Sequence, residues 1–229
     1  MVLEQQEERT IRILEKFVLE LKKREKTSTP QLVIQQVLYW TDCHPSLVLT
    51  LCQLILQAES PINPNEEKVY VEQLVQQYLI KNWQTQKAAE PLQKIHAKLL
   101  NSQNCDPFWL LLSYQQILQV DDLAYNSSTE QQELLRLRLV IKRQEKLRVY
   151  NRIYQEVFNS MWLEKTLNDL RPYAREISAW LASDCQDASQ LLLGEVLTEA
   201  LNWTKGKGKL NFQENNFLIA SQVFNLRGS

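Results

Sequence analysis

A mainly α-helical chain with a single β-hairpin is the fold class this sequence predicts, on three observations. Only 4 glycines and 7 prolines interrupt 229 residues in which Leu, Gln, Glu and Lys dominate, a composition that favours helix nearly throughout. Along most segments the apolar residues recur at spacings of three and four, the period of a helix with one buried face. Residues 136–158 break that rule. A helical pattern ending near Arg138 gives way to an alternating run at 139–143, a turn at Gln144 and Glu145, a second run at 146–150, and helix again from Asn151. In the second run Leu147 and Val149 share one face and Arg148 and Tyr150 the other, and Leu139 and Ile141 are expected inward in the first. Helix, short hairpin and helix in that order predict a winged-helix subdomain, with the hairpin at about 139–150.

In chain order, residues 3–27 place Ile11, Leu14, Val18 and Leu21 on one face against Glu, Arg and Lys. That face either packs on its own domain or, because the 3-4-3 spacing suits a coiled-coil seam, joins two copies as a homodimer. Thr29 as N-cap and Pro30 at the first helical position open a helix carrying Leu32, Val33, Val37 and Leu38, which ends at Trp40, Thr41 and Asp42. A second helix follows Pro45 with Leu47, Leu51, Leu54 and Ile55. Asn63, Pro64, Asn65 and Glu66 read as a capping box that starts a long helix through Val71, Val75, Leu79 and Trp83. Residues 91–100 form another helix, and Asp106 with Pro107 opens a very apolar one through Leu111 and Ile117. A polar connection at 121–128 leads to Ser128 and Gln131, which cap the helix before the hairpin. Beyond the hairpin the helical period runs through Leu163, Leu167 and Ile177 and must break at Pro172. Asp187 with Gln190 is expected to start a helix bearing Leu191, Leu192, Val196 and Leu197, and Asn211 with Glu214 to cap the last one. The expected organisation is an N-terminal amphipathic helix at 1–29, a helical subdomain at 30–102, the winged helix at 103–160 and a C-terminal helical segment at 161–229.

Several function classes find no support. With Lys plus Arg at 26 and Asp plus Glu at 27 the chain is close to neutral, so a nucleic-acid role needs a local patch. Cys43, Cys52, Cys105 and Cys185 stand far apart with no C-x-x-C pair, and with His44 and His96 they show no zinc spacing, so no metal is expected. The acidic start MVLEQQEERT is not a signal peptide and no apolar run reaches membrane-spanning length, so a cytoplasmic protein without membrane contact is expected. No G-x-S-x-G or H-E-x-x-H motif occurs, and the carboxylates are scattered, so neither catalytic residues nor an enzyme are expected.

Four strings carry a resemblance: VLYWTDCHPSLVLTLCQLI at 37–55, VEQLVQQYLIKNW at 71–83, LRVYNRIYQEVFN at 147–159 and LRPYAREISAWLAS at 170–183. Together they resemble the region after the nucleotide-binding core of cyanobacterial signalling ATPases of the AAA-like, STAND type. In that family a P-loop domain is followed by a helical lid, a winged helix and a linking helical segment, then by propeller repeats or other effector modules. The resemblance covers about residues 30–225 and implies that 30–102 is lid-like. Two departures bear on function. No G-x-x-x-x-G-K-[ST] occurs, and the glycines and lysines of 205–209 follow no strand and precede no Ser or Thr. The family's lid carries W-T-G-G-x-P, whose small residues let backbone approach the nucleotide; here Trp40, Thr41, Asp42, Cys43, His44 and Pro45 stand in that order, with side chains in place of both glycines. The resemblance therefore implies an arm without its motor, binding no cofactor.

The one basic concentration is Arg136, Arg138, Lys142, Arg143, Lys146, Arg148 and Arg152, opposed only by Glu145. A winged helix bound to DNA uses such charges on phosphates while a recognition helix enters the major groove. Here the helix that would enter begins Thr129, Glu130, Gln131, Gln132, Glu133, and its acidic leading end opposes that approach. The expected function is a non-catalytic, stand-alone regulatory adaptor that docks another protein, a P-loop signalling protein among the candidates. The alternative is a DNA-binding regulator that uses the basic hairpin.

Overall fold

The computed structural model describes residues 2–120, 123–205 and 212–228. Residues 121–122 of the expected polar connection, the 206–209 glycine–lysine run and the Asn211 cap lie outside the described residues. The chain is mainly helical with one small three-stranded antiparallel sheet, and it divides into two compact units, Met1–Leu163 and Glu164–Ser229. The expected boundaries at 30 and 103 both fall inside the first unit.

In the first unit α1 (Val2–Lys23) lies along α3 (Pro45–Gln57), with α2 (Pro30–Thr41) and α4 (Glu67–Val75) beside them. The packed stripe of α1 is Thr10, Phe17 and Leu21, and Thr10 Oγ1 donates to the Cys43 carbonyl at 3.0 Å. Of the candidate seam Ile11, Leu14, Val18 and Leu21, only Leu21 belongs to that packed stripe, and Leu14 and Val18 are half-buried. Leu21 is fully buried in its own unit and Ile11 is 54% exposed, because inserting the Phe17 ring rotates the helix about one residue from the expected face. After α1, the Lys26 ammonium donates to the carbonyls of Ala58 and Ser60, placing a cation on the orphan carbonyls at the end of α3.

Two helix starts differ from expectation. Thr29 sits at the N-cap position of α2, yet its hydroxyl donates to the buried Glu67 carboxylate rather than accepting from the helix. Asn63 does pair with Glu66, its Nδ2 donating to Oε2 at 2.8 Å, but Asn65 takes a left-handed φ of 70° and α4 begins only at Glu67. A buried Glu67 held by Thr29 is the stronger anchor. The helix then loosens into a π turn at Gln76–Ile80, so Trp83 packs from beyond its end.

A 3-10 turn (Lys87–Ala89) leads into α5 (Glu90–Leu100), followed by α6 (Pro107–Gln119), whose Asp106 carboxylate caps the Phe108 amide at 2.8 Å. The winged part comprises β1 (Leu123–Ala124), α7 (Thr129–Leu137), β2 (Val140–Arg143), β3 (Lys146–Val149) and α8 (Arg152–Val157), with strand order β1-β3-β2. Gln144 (φ 49°) and Glu145 (φ 60°) both adopt the left-handed conformation that a two-residue hairpin turn needs to match strand twist. Leu147 and Val149 face inward as expected, but in β2 the inward residue is Val140, opposite Val149, while Ile141 is half-buried. The offset arises at Arg138, whose left-handed φ of 59° ends α7 and lets Leu139 enter the core before the strand begins. The helix α9 (Ser160–Asp169) follows, and the break at Pro172 falls before α10 (Ala174–Ala182).

In the second unit, α10, α11 (Gly194–Thr204) and α12 (Phe212–Gly228) enclose Tyr173, Ile177, Trp180, Leu192, Leu197 and Phe217. The helix expected from Asp187 is a single 3-10 turn, Ala188–Gln190, which Asp187 caps by accepting the Ser189 amide at 3.0 Å. Leu191 and Leu193 are then extended, and α11 starts at Gly194, whose φ of 51° suits glycine.

Candidate functional site

The α2–α3 connection and the hairpin meet inside the first unit, and two of the seven basic residues singled out in the sequence, Arg143 and Arg148, take part in the contact. Asp42 and Cys43 close α2 with φ of 42° and 63°, left-handed values that most side chains avoid. Holding them there directs the Asp42 carboxylate at the hairpin, where its Oδ2 accepts from Arg143 and from Arg148, each at 3.4 Å. One carboxylate thus serves two guanidinium groups. Because Cys43 sustains a left-handed backbone with a side chain that is exposed, Cys43→Gly is expected to raise stability by about 0.5–1 kcal/mol, read as a higher urea midpoint.

The other candidates are spread around this contact. Arg136 lies on α7 and makes a two-pronged pair with Glu133, Nε to Oε2 and Nη2 to Oε1 both at 2.6 Å. Glu133 is 3% exposed, also accepts from Asn104 at 2.8 Å and Ser102 at 3.2 Å, and the Arg136 guanidinium above all pulls its pKa down to about 2. Gln131 is also buried, while Thr129, Gln132 and Arg136 on the same helix are exposed. Lys142 pairs with Glu145 at 2.9 Å and lies 4.4 Å from the Tyr125 ring centre. Arg152, at the start of α8, stacks over the Tyr39 ring at 4.0 Å. Lys146 is exposed on β3, and Arg138 is half-buried at the end of α7.

Sequence reasoning did not assign a role to His44, Tyr150 or Tyr154, which tie the two parts together beneath the ion pairs. The buried His44 ring meets Tyr150 and Tyr154 edge-on at 5.1 and 5.6 Å, and its Nε2 is 3.2 Å from the Tyr154 hydroxyl. Burial first, and the nearby Arg138 charge second, lower its pKa from 6.5 to about 4. The aromatic contacts continue from Tyr154 to Phe158, then to Trp83 and Trp162, and both tryptophans reach His96. The H-P pair at 44–45 followed by N-R-I-Y at 151–154 was the available signal, but only the fold brings residues 110 apart into contact.

At this place Arg143 and Arg148 are paired with Asp42, and among the described residues no three of His, Cys, Asp and Glu converge as a metal site would require. Burial pushes the Cys52 thiol up to about 12, far from a nucleophile's range. Among the described residues no helix is long and apolar enough to cross a membrane.

Over 194 residues, 83% of this chain, the sequence is 34% identical to an uncharacterized WD repeat-containing protein of Synechocystis sp.. The chain spans 16% of that protein's length. No protein-family profile matches the chain, and no solved structure matches it. It is therefore a mainly helical chain with a small winged sheet, and most of it is similar to a segment of a cyanobacterial WD repeat-containing protein.

Proposed function

We propose that this chain is a non-catalytic regulatory arm that works through protein contacts and descends from the lid, winged-helix and linker region of a STAND-type signalling ATPase. The observation that carries the reading is the Asp42 bridge to Arg143 and Arg148. Asp42 stands where the resembled lid has a glycine that lets backbone approach a nucleotide. Here the position keeps a backbone conformation that glycine favours, while its carboxylate ties the lid-like part to the wing. A side chain at that point occupies the space the glycine leaves open and joins the two parts through its ion pairs. The WD repeats named in the Synechocystis protein support the same lineage, since propeller repeats are among the modules that follow this arm in the resembled ATPases.

The DNA-binding alternative is less well supported. Arg136, Lys142, Arg143 and Arg148 each have a carboxylate partner within the chain, and Arg152 is stacked on Tyr39, so phosphate contacts would begin by breaking pairs. A salt titration on labelled duplex DNA tests the choice. The expected result is no submicromolar affinity at 50–200 mM salt, conditions under which a protein with several phosphate contacts shows a steep salt slope. Submicromolar binding that disappears in Lys142→Ala/Arg143→Ala transfers the reading to a DNA regulator. Calorimetry with ATP and ADP is expected to find no affinity tighter than about millimolar; tighter binding overturns the loss of the nucleotide site.

A further inference from the structure

We propose that the groove between α2 and α8 is a peptide-binding site for an extended segment of a partner protein that carries one acidic and one basic side chain. The inference deepens the protein-contact reading and rests on it. Two adjoining hollows form the groove, one of about 320 Å³ beside Asp42, Arg148 and Asn151, the other of about 180 Å³ beside Lys68, Glu72 and Glu156. Tyr39, Arg152 and Gln155 line both.

Charge is divided along its length. In the larger hollow Asp42 is paired with Arg148, and with Arg143 outside the hollow, and Arg152 adds a second lining guanidinium, so cationic donors exceed acceptors. Stacking on Tyr39 holds the plane of Arg152 while leaving its edge to meet a carboxylate with two parallel N–H groups. Asn151 also lines this hollow, and its Oδ1 accepts the Tyr154 amide at 2.9 Å, which holds the side chain in place. In the smaller hollow two carboxylates, Glu72 and Glu156, face one lysine, Lys68. An incoming carboxylate therefore fits the Arg148 end and an incoming cation fits the Glu72 end. Tyr39, 47% exposed between them, offers an aromatic face to the peptide's aliphatic stem. A nucleic-acid strand fits one half only, because its phosphates would pass Glu72 and Glu156.

The test uses the full chain and an array of labelled nonapeptides in a Gly/Ser background, with one Glu fixed and one Lys scanned through every spacing on either side. The expected result is binding confined to one or two spacings, weakened at least tenfold when that Glu becomes Gln, and weakened similarly by Arg152→Lys, which keeps the charge but not the planar stack. Tyr39→Phe is expected to preserve binding and Tyr39→Ala to weaken it, with far-UV circular dichroism confirming that each variant is folded; Lys98→Ala, on exposed α5 surface, is expected to change nothing. Binding at no spacing, or binding indifferent to Glu→Gln, overturns the groove proposal. If labelled duplex DNA also fails to bind, the protein-contact reading stands without it; if the duplex binds tightly while the peptides do not, both fall.

Discussion

Arg171→Met is expected to destabilise the second unit by about 3–5 kcal/mol, the usual cost of leaving a buried charge without its partner. Glu214 is 2% exposed, and its carboxylate is held by Arg171 Nε at 2.7 Å and by the Tyr173 hydroxyl at 2.6 Å. The tyrosine's own proton is held more tightly as a result, chiefly through burial and then through the bond to Glu214. Removing the guanidinium leaves the buried Glu214 carboxylate, in the first turn of α12, without its cation, whereas Arg171→Met/Glu214→Leu replaces the pair by apolar volume and is expected to recover most of the loss. Urea unfolding followed by the fluorescence of Trp180 and Trp203 reads each effect. A loss below 1 kcal/mol at pH 8 would show that the pair is dispensable to this unit.

How far the sequence could be read follows from which contacts are local. The hairpin, its two-residue turn and the Asp106, Ser128 and Asn151 starts were legible because each depends on residues a few positions apart. Thr29 misled because a hydroxyl at a cap position can donate elsewhere, here to Glu67, and Asp187 caps its turn as read although only one turn follows. The period of α1 was correct but its facing was not, since an apolar stripe that includes Phe17 as well as Ile11 admits two rotations and only packing on α3 chooses.

The site shows the same division at longer range. All seven basic residues stood out by composition, but their engagement did not. Arg143 and Arg148 meet an aspartate 101 and 106 positions away, and Arg152 meets the ring of Tyr39. A cluster of like charge in a sequence reads as a surface waiting for a partner. Folding can supply that partner from the same chain, and what then remains for recognition is the local excess, here the larger hollow beside Asp42.

Lowering the pH from 6.5 to about 4 is expected to remove roughly 3 kcal/mol from the first unit through His44 alone, on the linkage of about 1.4 kcal/mol per pKa unit. The folded protein holds His44 neutral because its imidazole is buried against Tyr150 and Tyr154 and lies near the positive charge of Arg138, while the unfolded chain protonates it near 6.5. Between those values the unfolded state binds more protons, so stability rises with pH through the window. The contribution is whole above 6.5 and gone by about 4. The Glu133–Arg136 pair is lost in a lower range, from 4.5 down to about 2, and does not overlap most of it. His96, whose proton affinity burial also lowers, adds a smaller loss that His96→Phe removes. His44→Phe keeps the edge-on ring contacts, gives up the bond to Tyr154, and should flatten most of the urea midpoint's dependence between pH 6.5 and 4.5. Because His44 begins α3 while its partners lie at the end of β3 and on α8, acid acts first on the seam between the α2–α3 connection and the wing, the seam that Asp42 closes from outside. Equal pH slopes in the wild type and His44→Phe would show that the imidazole does not control that seam.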